Sequence, residues 1–157
     1  MKNWDKYFLG LAQAVADNSK CYSRHIGAVL VRDKFIVSTG YNGAPIGYPH
    51  CTYIESDIPI SGCPRKYLGY ESSKGLELCP AAHAERNAID IAARLGHATE
   101  GCVMYLTCGV PCKDCAISIV QAGIVEVVCN TNVIYEKTGV TGLDILTGGG
   151  VKVRAYE

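Results

Sequence analysis

The sequence carries no net charge: among 157 residues, fifteen lysines and arginines balance fifteen aspartates and glutamates. A protein that binds a nucleic-acid polymer by displacing counterions needs a basic stripe, so this balance speaks against that mode of binding. A local basic pocket for one phosphate remains compatible with it. No stretch approaches the ~18 consecutive apolar residues that span a bilayer, so no membrane partner is expected. The N-terminus MKNWDKYFLG lacks the plan of an export signal, because Trp4, Asp5 and Lys6 interrupt the place where an apolar run would begin. A cytoplasmic protein is the expectation. Internal repeats, linkers and low-complexity tracts are missing as well. With 48% hydrophobic and 19% charged residues, the chain reads as one domain over 1–157 that buries a core without disulfides.

What the sequence has in quantity is cysteine, nine in all, at positions 21, 51, 63, 79, 102, 108, 112, 115 and 129. An odd number without an export signal argues against a disulfide framework and for metal ligation plus ordinary buried thiols. At least one zinc is expected.

Trp4, Phe8, Leu11 and Val15 recur at spacings of three and four, which predicts a helix over 4–18. The β-branched runs 26–31 and 35–39, joined by the polar Arg32, Asp33 and Lys34, predict a hairpin. From Gly40 to about Cys79 periodicity disappears and glycines and prolines punctuate the chain. A loop of that length in a compact domain is either functional or a misreading of the segment. Cys51, Cys63 and Cys79 fall in it or at its end, which suggests that a metal rather than an apolar core gives it shape. Residues 82–96 are rich in alanine, place Ala88, Ile91, Ala92 and Leu95 on one face and end at Gly96, which predicts a second helix with its C-cap. A strand over 102–107, a short helix over 112–122 stopped by Gly123, a strand over 124–129, a short helix over 141–146 and a last strand over 151–156 follow. Strands separated by helices of this length read as βαβ crossovers, hence an α/β fold with a partly parallel sheet.

Two short motifs carry chemistry: His83, Ala84, Glu85 at the start of the second helix, and Pro111, Cys112, Lys113, Asp114, Cys115 at the start of the third. Cysteines at i and i+3 share a helix face, so both sulfurs can reach one metal. A helix N-terminus also favours thiolate over thiol, and Pro111 suits a helix start. With His83 as third ligand, a tetrahedral zinc keeps one open position, the arrangement of a catalytic site. Zinc lowers the pKa of a bound water to roughly 7. Glu85 then projects beside the metal, placed to move protons. H-x-E with P-C-x-x-C is the pattern of zinc-dependent nucleobase deaminases. Each half alone is weak, since C-x-x-C also serves redox pairs and zinc ribbons. The alternative is a closed structural zinc made of His83, Cys112, Cys115 and one more cysteine. Against it, a carboxylate stands where a proton shuttle is required.

The sequence resembles the deoxycytidylate (dCMP) deaminase family within the cytidine deaminase superfamily. The likeness runs from Trp4, Asp5, Tyr7 and Phe8 through IGAVLV, TGYNGAPIGYPHC, LCPAAHAERNAI and VPCKDCAISIVQAGI, most of the chain up to about Cys129. HAE with PCxxC marks the superfamily. TGYNGAP, the cysteine-bearing loop and HAExNAI point to dCMP deaminases in particular. The resemblance implies a three-layer α/β/α fold with a five-stranded mixed sheet. It implies that His83, Cys112 and Cys115 bind the catalytic zinc and that Glu85 is the general acid and base. Water would attack C4 of the cytosine ring, and Glu85 would protonate N3 and then carry a proton to the departing amine. The products would be ammonia and dUMP, which supplies dTTP synthesis. Asn42 would contact the sugar hydroxyl, although by its residues alone the Asn-Gly pair reads as a turn. The Ala84 amide would bond the pyrimidine carbonyl. A 5′-phosphate needs cations or amides, because burying a dianion without partners is costly. Arg24, before the first strand, and Tyr135, after the strand over 124–129, are the candidates; a solvated arginine and a core tyrosine are the alternative.

For some members, the resemblance also implies a second, structural zinc near the active site. Cys21, Cys51, Cys63 and Cys79 could form a closed tetrahedral set, with His50 able to replace one, or be scattered buried thiols. Cys102, Cys108 and Cys129 lie in or beside apolar strand runs and read as core residues. His97, after Gly96, reads as a solvated residue at a helix end. Enzymes of this family are commonly homohexamers, activated by dCTP with Mg2+ and inhibited by dTTP, the effector lying between subunits near Gly40, Tyr41, Asn42 and Gly43. The same regulation is expected here, while the region after Cys129 matches less well and leaves oligomer contacts open. Rival readings are a free cytidine deaminase, separated by whether a 5′-phosphate is required, and a catalytically idle zinc scaffold, against which Glu85 speaks. Zero net charge disfavours a tRNA adenosine deaminase. A riboflavin-pathway deaminase is usually fused to a reductase, for which the length leaves no room.

Overall fold

The structure, a computed structural model, describes residues 3–55 and 58–156, with 52–55 and 58–61 by backbone alone. In chain order its elements are α1 (Trp4–Ala16), β1 (Gly27–Arg32), β2 (Phe35–Tyr41), β3 (Thr52–Glu55), β4 (Ile58–Ser61), α2 (Pro64–Tyr67), α3 (Ala84–Leu95), β5 (Val103–Leu106), α4 (Lys113–Gln121), β6 (Glu126–Cys129), α5 (Gly142–Gly148) and β7 (Lys152–Ala155). Residues 27–31 are buried without a break, because β1 is covered on both faces. Ala28 and Leu30 face one side, Val29 and Val31 the other. β2 returns antiparallel to β1 through Asp33 and Lys34, whose positive φ values of 52° and 66° match the two-residue hairpin turn that follows strand twist. β5 lies antiparallel on the other side of β1, and β6 and β7 continue parallel. The order is β2-β1-β5-β6-β7, a five-stranded mixed sheet.

Helices cover both faces. On one, Phe8, Leu9 and Ala12 of α1 pack against Val29, Val31, Tyr105 and Val128. On the other, Ala84, Ala88 and Ala92 of α3, Ala116 and Ile119 of α4 and Leu146 of α5 pack against Ala28, Leu30, Met104, Leu106 and Val127. The alanine face of α3 lets it lie almost on the sheet: a Cβ at Gly40 of β2 would stand 2.3 Å from the Ala88 nitrogen. Leu95, grouped with that face by spacing, is instead 59% exposed in the last turn before Gly96. His97 is exposed, but its Nδ1 donates to the Val37 carbonyl at 2.8 Å, so it ties the end of α3 to β2 rather than standing free in solvent.

The stretch from Gly40 to Cys79 differs from its reading as one long loop. It holds the β3–β4 hairpin, the single turn α2 and a 3-10 turn at Leu76–Leu78. Strands of four residues are too short to print a period on the sequence. Gly43 also does not make a glycine turn with Asn42: its N–H and C=O pair with Ala82 at 3.1 and 2.9 Å, which stitches this segment to the entry of α3. Among the described residues no helix is long and apolar enough to cross a membrane.

Candidate active site

His83 is the N-cap of α3 and Cys112 the N-cap of α4, both with extended backbone, while Glu85 and Cys115 lie in the first turns. α4 follows β5 and so begins at the carboxyl end of a sheet strand, where open α/β sheets place their ligands. His83 Nδ1 stands 3.5 Å from Cys112 Sγ and 3.3 Å from Cys115 Sγ. A tetrahedral zinc with Zn–S of about 2.3 Å and Zn–N of about 2.0 Å sets sulfur and nitrogen about 3.5 Å apart, so the three donors fit that ion. Among the described residues they are the only group of three or more His, Cys, Asp or Glu ligand atoms gathered this closely. A hydrogen bond from Cys115, helped by the His83 imidazole, pushes the Cys112 thiol down to about 4. Cys115, the proton donor in that bond and buried, is pushed up. His83 is raised mainly by its bond to Cys112. Metal binding needs both sulfurs as thiolates, so a dication would displace the remaining thiol proton.

Glu85 is 4% exposed, and burial holds its carboxyl above the usual range. It forms part of the wall of a cavity of about 600 Å³, together with His83, Cys112 and Cys115. Arg24, Asn42 and Tyr135 line the same cavity, so the structure brings these three sequence candidates to one place. Arg24 Nη2 donates to Tyr135 Oη at 3.1 Å, with the guanidinium 4.9 Å from the ring centre. Tyr135 Oη also accepts the Gly109 N–H at 3.1 Å, which leaves its own proton to give. Asn42 is 8% exposed; its Oδ1 accepts from the Ile26 N–H and its Nδ2 donates to the Arg24 carbonyl, both at 2.8 Å. One amide hydrogen and one lone pair remain for a ligand. Ala84 is fully buried as the first residue of α3, a position whose N–H has no acceptor within its own helix.

Gly40 is occupied by its packing against α3, and Tyr41 accepts the Asn87 side-chain amide on its carbonyl. Burial raises the Cys51 thiol, and Cys79, Cys63 and Cys21 each add to that rise. These thiols do not reach ligand distance as a set of three or more, and exposed His50 joins no such group. Cys102 and Cys129 are core residues. Cys108 is partly buried against the core, as read, and also lines the cavity, its thiol pushed up by burial and then by Glu85.

Glu136, Arg65 and Arg86 also line the cavity and were not singled out from the sequence. Glu136 Oε1 accepts the Lys113 N–H at 2.5 Å, capping α4 between the two cysteines, while Oε2 is the one buried side-chain oxygen or nitrogen without a partner among the described residues. A cap from 23 positions away leaves no local pattern to read.

Residues 2–131 match the profile of the cytidine and deoxycytidylate deaminase zinc-binding region. The chain belongs to the cytidine and deoxycytidylate deaminase family. It is similar to a deoxycytidylate deaminase of Schizosaccharomyces pombe, 36% identical over 154 residues that cover 98% of this chain and 44% of that protein. The chain therefore spans less than half the length of this relative. A deoxycytidylate deaminase of Mycobacterium phage D29 is 39% identical over 131 residues, covering 80% of this chain and 93% of that protein. Among solved structures, a dCMP deaminase from cyanophage S-TIM5, in complex with dCMP and dUMP, matches with a TM-score of 0.73 at 26% identity over 99% of both chains. The three-layer arrangement is the cytidine deaminase-like fold of this family, which the resemblance implied.

Proposed function

We propose that this deaminase-family protein hydrolyses dCMP to dUMP and ammonia. The observation that carries the reading is the His83, Cys112 and Cys115 donor set with the buried Glu85 beside it in one cavity. Similarity to deoxycytidylate deaminases, one solved with dCMP and dUMP, supports the choice of substrate. His83 Nδ1 and the two sulfurs would hold zinc, which when bound lowers the pKa of a water to about 7. Glu85 takes a proton from the attacking water, gives it to N3 of the cytosine ring and carries a proton to the departing amine. Its burial raises the carboxyl above the usual range, which suits it to hold a proton between the two transfers. The Ala84 N–H holds the pyrimidine carbonyl, the free amide hydrogen and lone pair of Asn42 serve the sugar, and Arg24 with the Tyr135 hydroxyl meets the 5′-phosphate.

The finer reading extends beyond this site. Cys21, Cys51, Cys63 and Cys79 are the further thiols that would close around a structural zinc, a reading that rests on the family resemblance and on the influence of Cys79, Cys63 and Cys21 on the Cys51 thiol. The protein works in the cytoplasm as a homohexamer that supplies dUMP for dTTP synthesis, with dCTP and Mg2+ activating and dTTP inhibiting near Gly40, Tyr41, Asn42 and Gly43. Insensitivity of dCMP turnover to both nucleotides would remove the regulatory part.

The deciding experiment is ammonia release from dCMP, dCTP, CMP and deoxycytidine in parallel, on zinc-loaded protein with Glu85→Gln as the blank. Turnover of dCMP far above deoxycytidine is expected. Turnover of deoxycytidine alone moves the protein to the nucleoside branch, and silence on all four with zinc bound overturns the reading.

A further inference from the structure

Three arginines line the cavity, Arg24, Arg65 and Arg86, and among the described residues none has a carboxylate within 4 Å. The hydrogen-bond partners of Arg24 and Arg65 are neutral: a phenol oxygen and two backbone carbonyls. Arg24 is fixed by Tyr135, reaching in from the chain before β1. Arg65 belongs to α2 and is half-buried; its Nε donates to the Lys74 carbonyl at 2.5 Å and its Nη2 to the Glu71 carbonyl at 3.2 Å. Two carbonyls orient a guanidinium without cancelling its charge, and three of its five N–H groups remain unused. The turn that presents the Lys74 carbonyl is held in a costly conformation: Ser73, a non-glycine residue, has φ of 67°, and Gly75 follows at 63°. Such backbone persists where surrounding structure demands it, and it occurs often at ligand clamps. Ser72 and Ser73 line the cavity beside this turn. Arg86 is exposed in the first turn of α3, between Glu85 and Asn87 in the sequence.

We propose that Arg65 is a second phosphate-binding residue, closing on the 5′-phosphate from the α2 side while Arg24 and Tyr135 hold it from the sheet side. This rests on the dCMP reading above. A phosphate monoester carries about −1.5 to −2 charges near neutral pH, so one guanidinium leaves it partly uncompensated and two match it. Planar forks suit phosphate oxygens better than an ammonium does. Arg65 thereby makes the site demand a nucleotide rather than a nucleoside, and the segment between β4 and α3 becomes a determinant of specificity.

The test compares kcat and KM of the zinc-loaded protein for dCMP and deoxycytidine in wild type, Arg65→Gln and Arg65→Lys. Arg65→Gln is expected to raise KM for dCMP about 10- to 100-fold, the scale of one lost charge-assisted contact, with kcat little changed. Its kcat/KM for deoxycytidine, which has no phosphate, is expected to shift less than about twofold. Arg65→Lys, which keeps the charge and loses the fork, falls between. If both substrates lose activity together, Arg65 only braces its loop and the proposal is overturned; an unchanged KM for dCMP overturns it too. Should Arg65→Gln lose zinc or melt early, Arg65→Lys decides by the same comparison. A wild type that treats dCMP and deoxycytidine alike overturns the dCMP reading together with this proposal, whereas a selective wild type with an unaffected variant overturns this proposal alone.

Discussion

Two glutamates line one cavity, and the fold gives them opposite work. Glu85 is buried with its carboxyl raised, a group that can hold a proton and release it. Glu136 spends one oxygen on the Lys113 N–H and so fixes the turn in which both cysteines stand. Glu85→Gln keeps size and burial but cannot carry the proton, so it is expected to retain zinc and fold while turnover falls by about 10²- to 10⁴-fold, the span of general acid–base catalysis. Metal analysis beside an ammonia assay checks both halves. Glu136→Ala leaves the Lys113 N–H without its acceptor and is expected to release zinc to a chelator faster, whereas Glu136→Gln, whose amide oxygen can still accept that bond, is expected to stay close to wild type. Equal behaviour of the two variants would assign Glu136 no part in holding α4. Glu85 was legible in the sequence because it sits two residues from His83 in the same motif. Glu136 was not, since its partner is brought to it only by the packing of the chain after β6 against α4.

At the scale of elements, legibility followed length and periodicity. α3 and the β1–β2 hairpin announce themselves through an alanine stripe with a glycine stop and through β-branched runs around a polar turn. β3 and β4, four residues each and paired only with one another, leave no such mark. Cys108, two residues beyond β5, packs against the core and also lines the cavity, and nothing local in the sequence announces the second role. Gly40 shows how narrow the fit between elements is. A methyl group there would meet the Ala84 oxygen at 2.5 Å and the Ala88 nitrogen at 2.3 Å, both backbone atoms that cannot swing aside. Gly40→Ala is therefore expected to push α3 from the sheet and to cost about 1–3 kcal/mol of stability, read by denaturant melting. Because α3 carries His83 and Glu85 at its start, zinc affinity is expected to fall with it. Gly10, with open space around its Cβ position, supplies the control, for Gly10→Ala lies in a helix and is expected to stabilise.

Across the whole molecule, the far edge of the sheet is joined to α1 by one ionic network away from the cavity. Arg154 of β7 donates to both carboxylate oxygens of Asp5 in α1, at 2.6 and 2.9 Å, and to Glu126 of β6 at 2.5 Å. The Tyr105 hydroxyl of β5 donates to Asp5 at 3.0 Å. Arg154 holds the Asp5 carboxyl below its ordinary value, while burial, and then Asp5 itself, push the Tyr105 phenol up to about 12. The two shifts act at opposite ends of the pH scale. Asp5 binds protons less readily folded than unfolded, so its contribution is present above the unfolded value of about 3.9 and is lost as pH falls through the lower folded one. Tyr105 is the reverse, contributing below the unfolded value of about 10 and losing that contribution as pH rises toward 12. Asp5→Asn is expected to cost about 1 kcal/mol at neutral pH, partial exposure keeping the pair weaker than a buried one, and the difference from wild type should shrink steadily below pH about 4. Tyr105→Phe removes the alkaline limb, so between pH 10 and 12 its stability should fall less steeply than that of wild type. Denaturant melts at fixed pH values measure both limbs. A constant gap between Asp5→Asn and wild type down to pH 2 would show that Asp5 works through packing alone, with no ionic tie between α1 and β7.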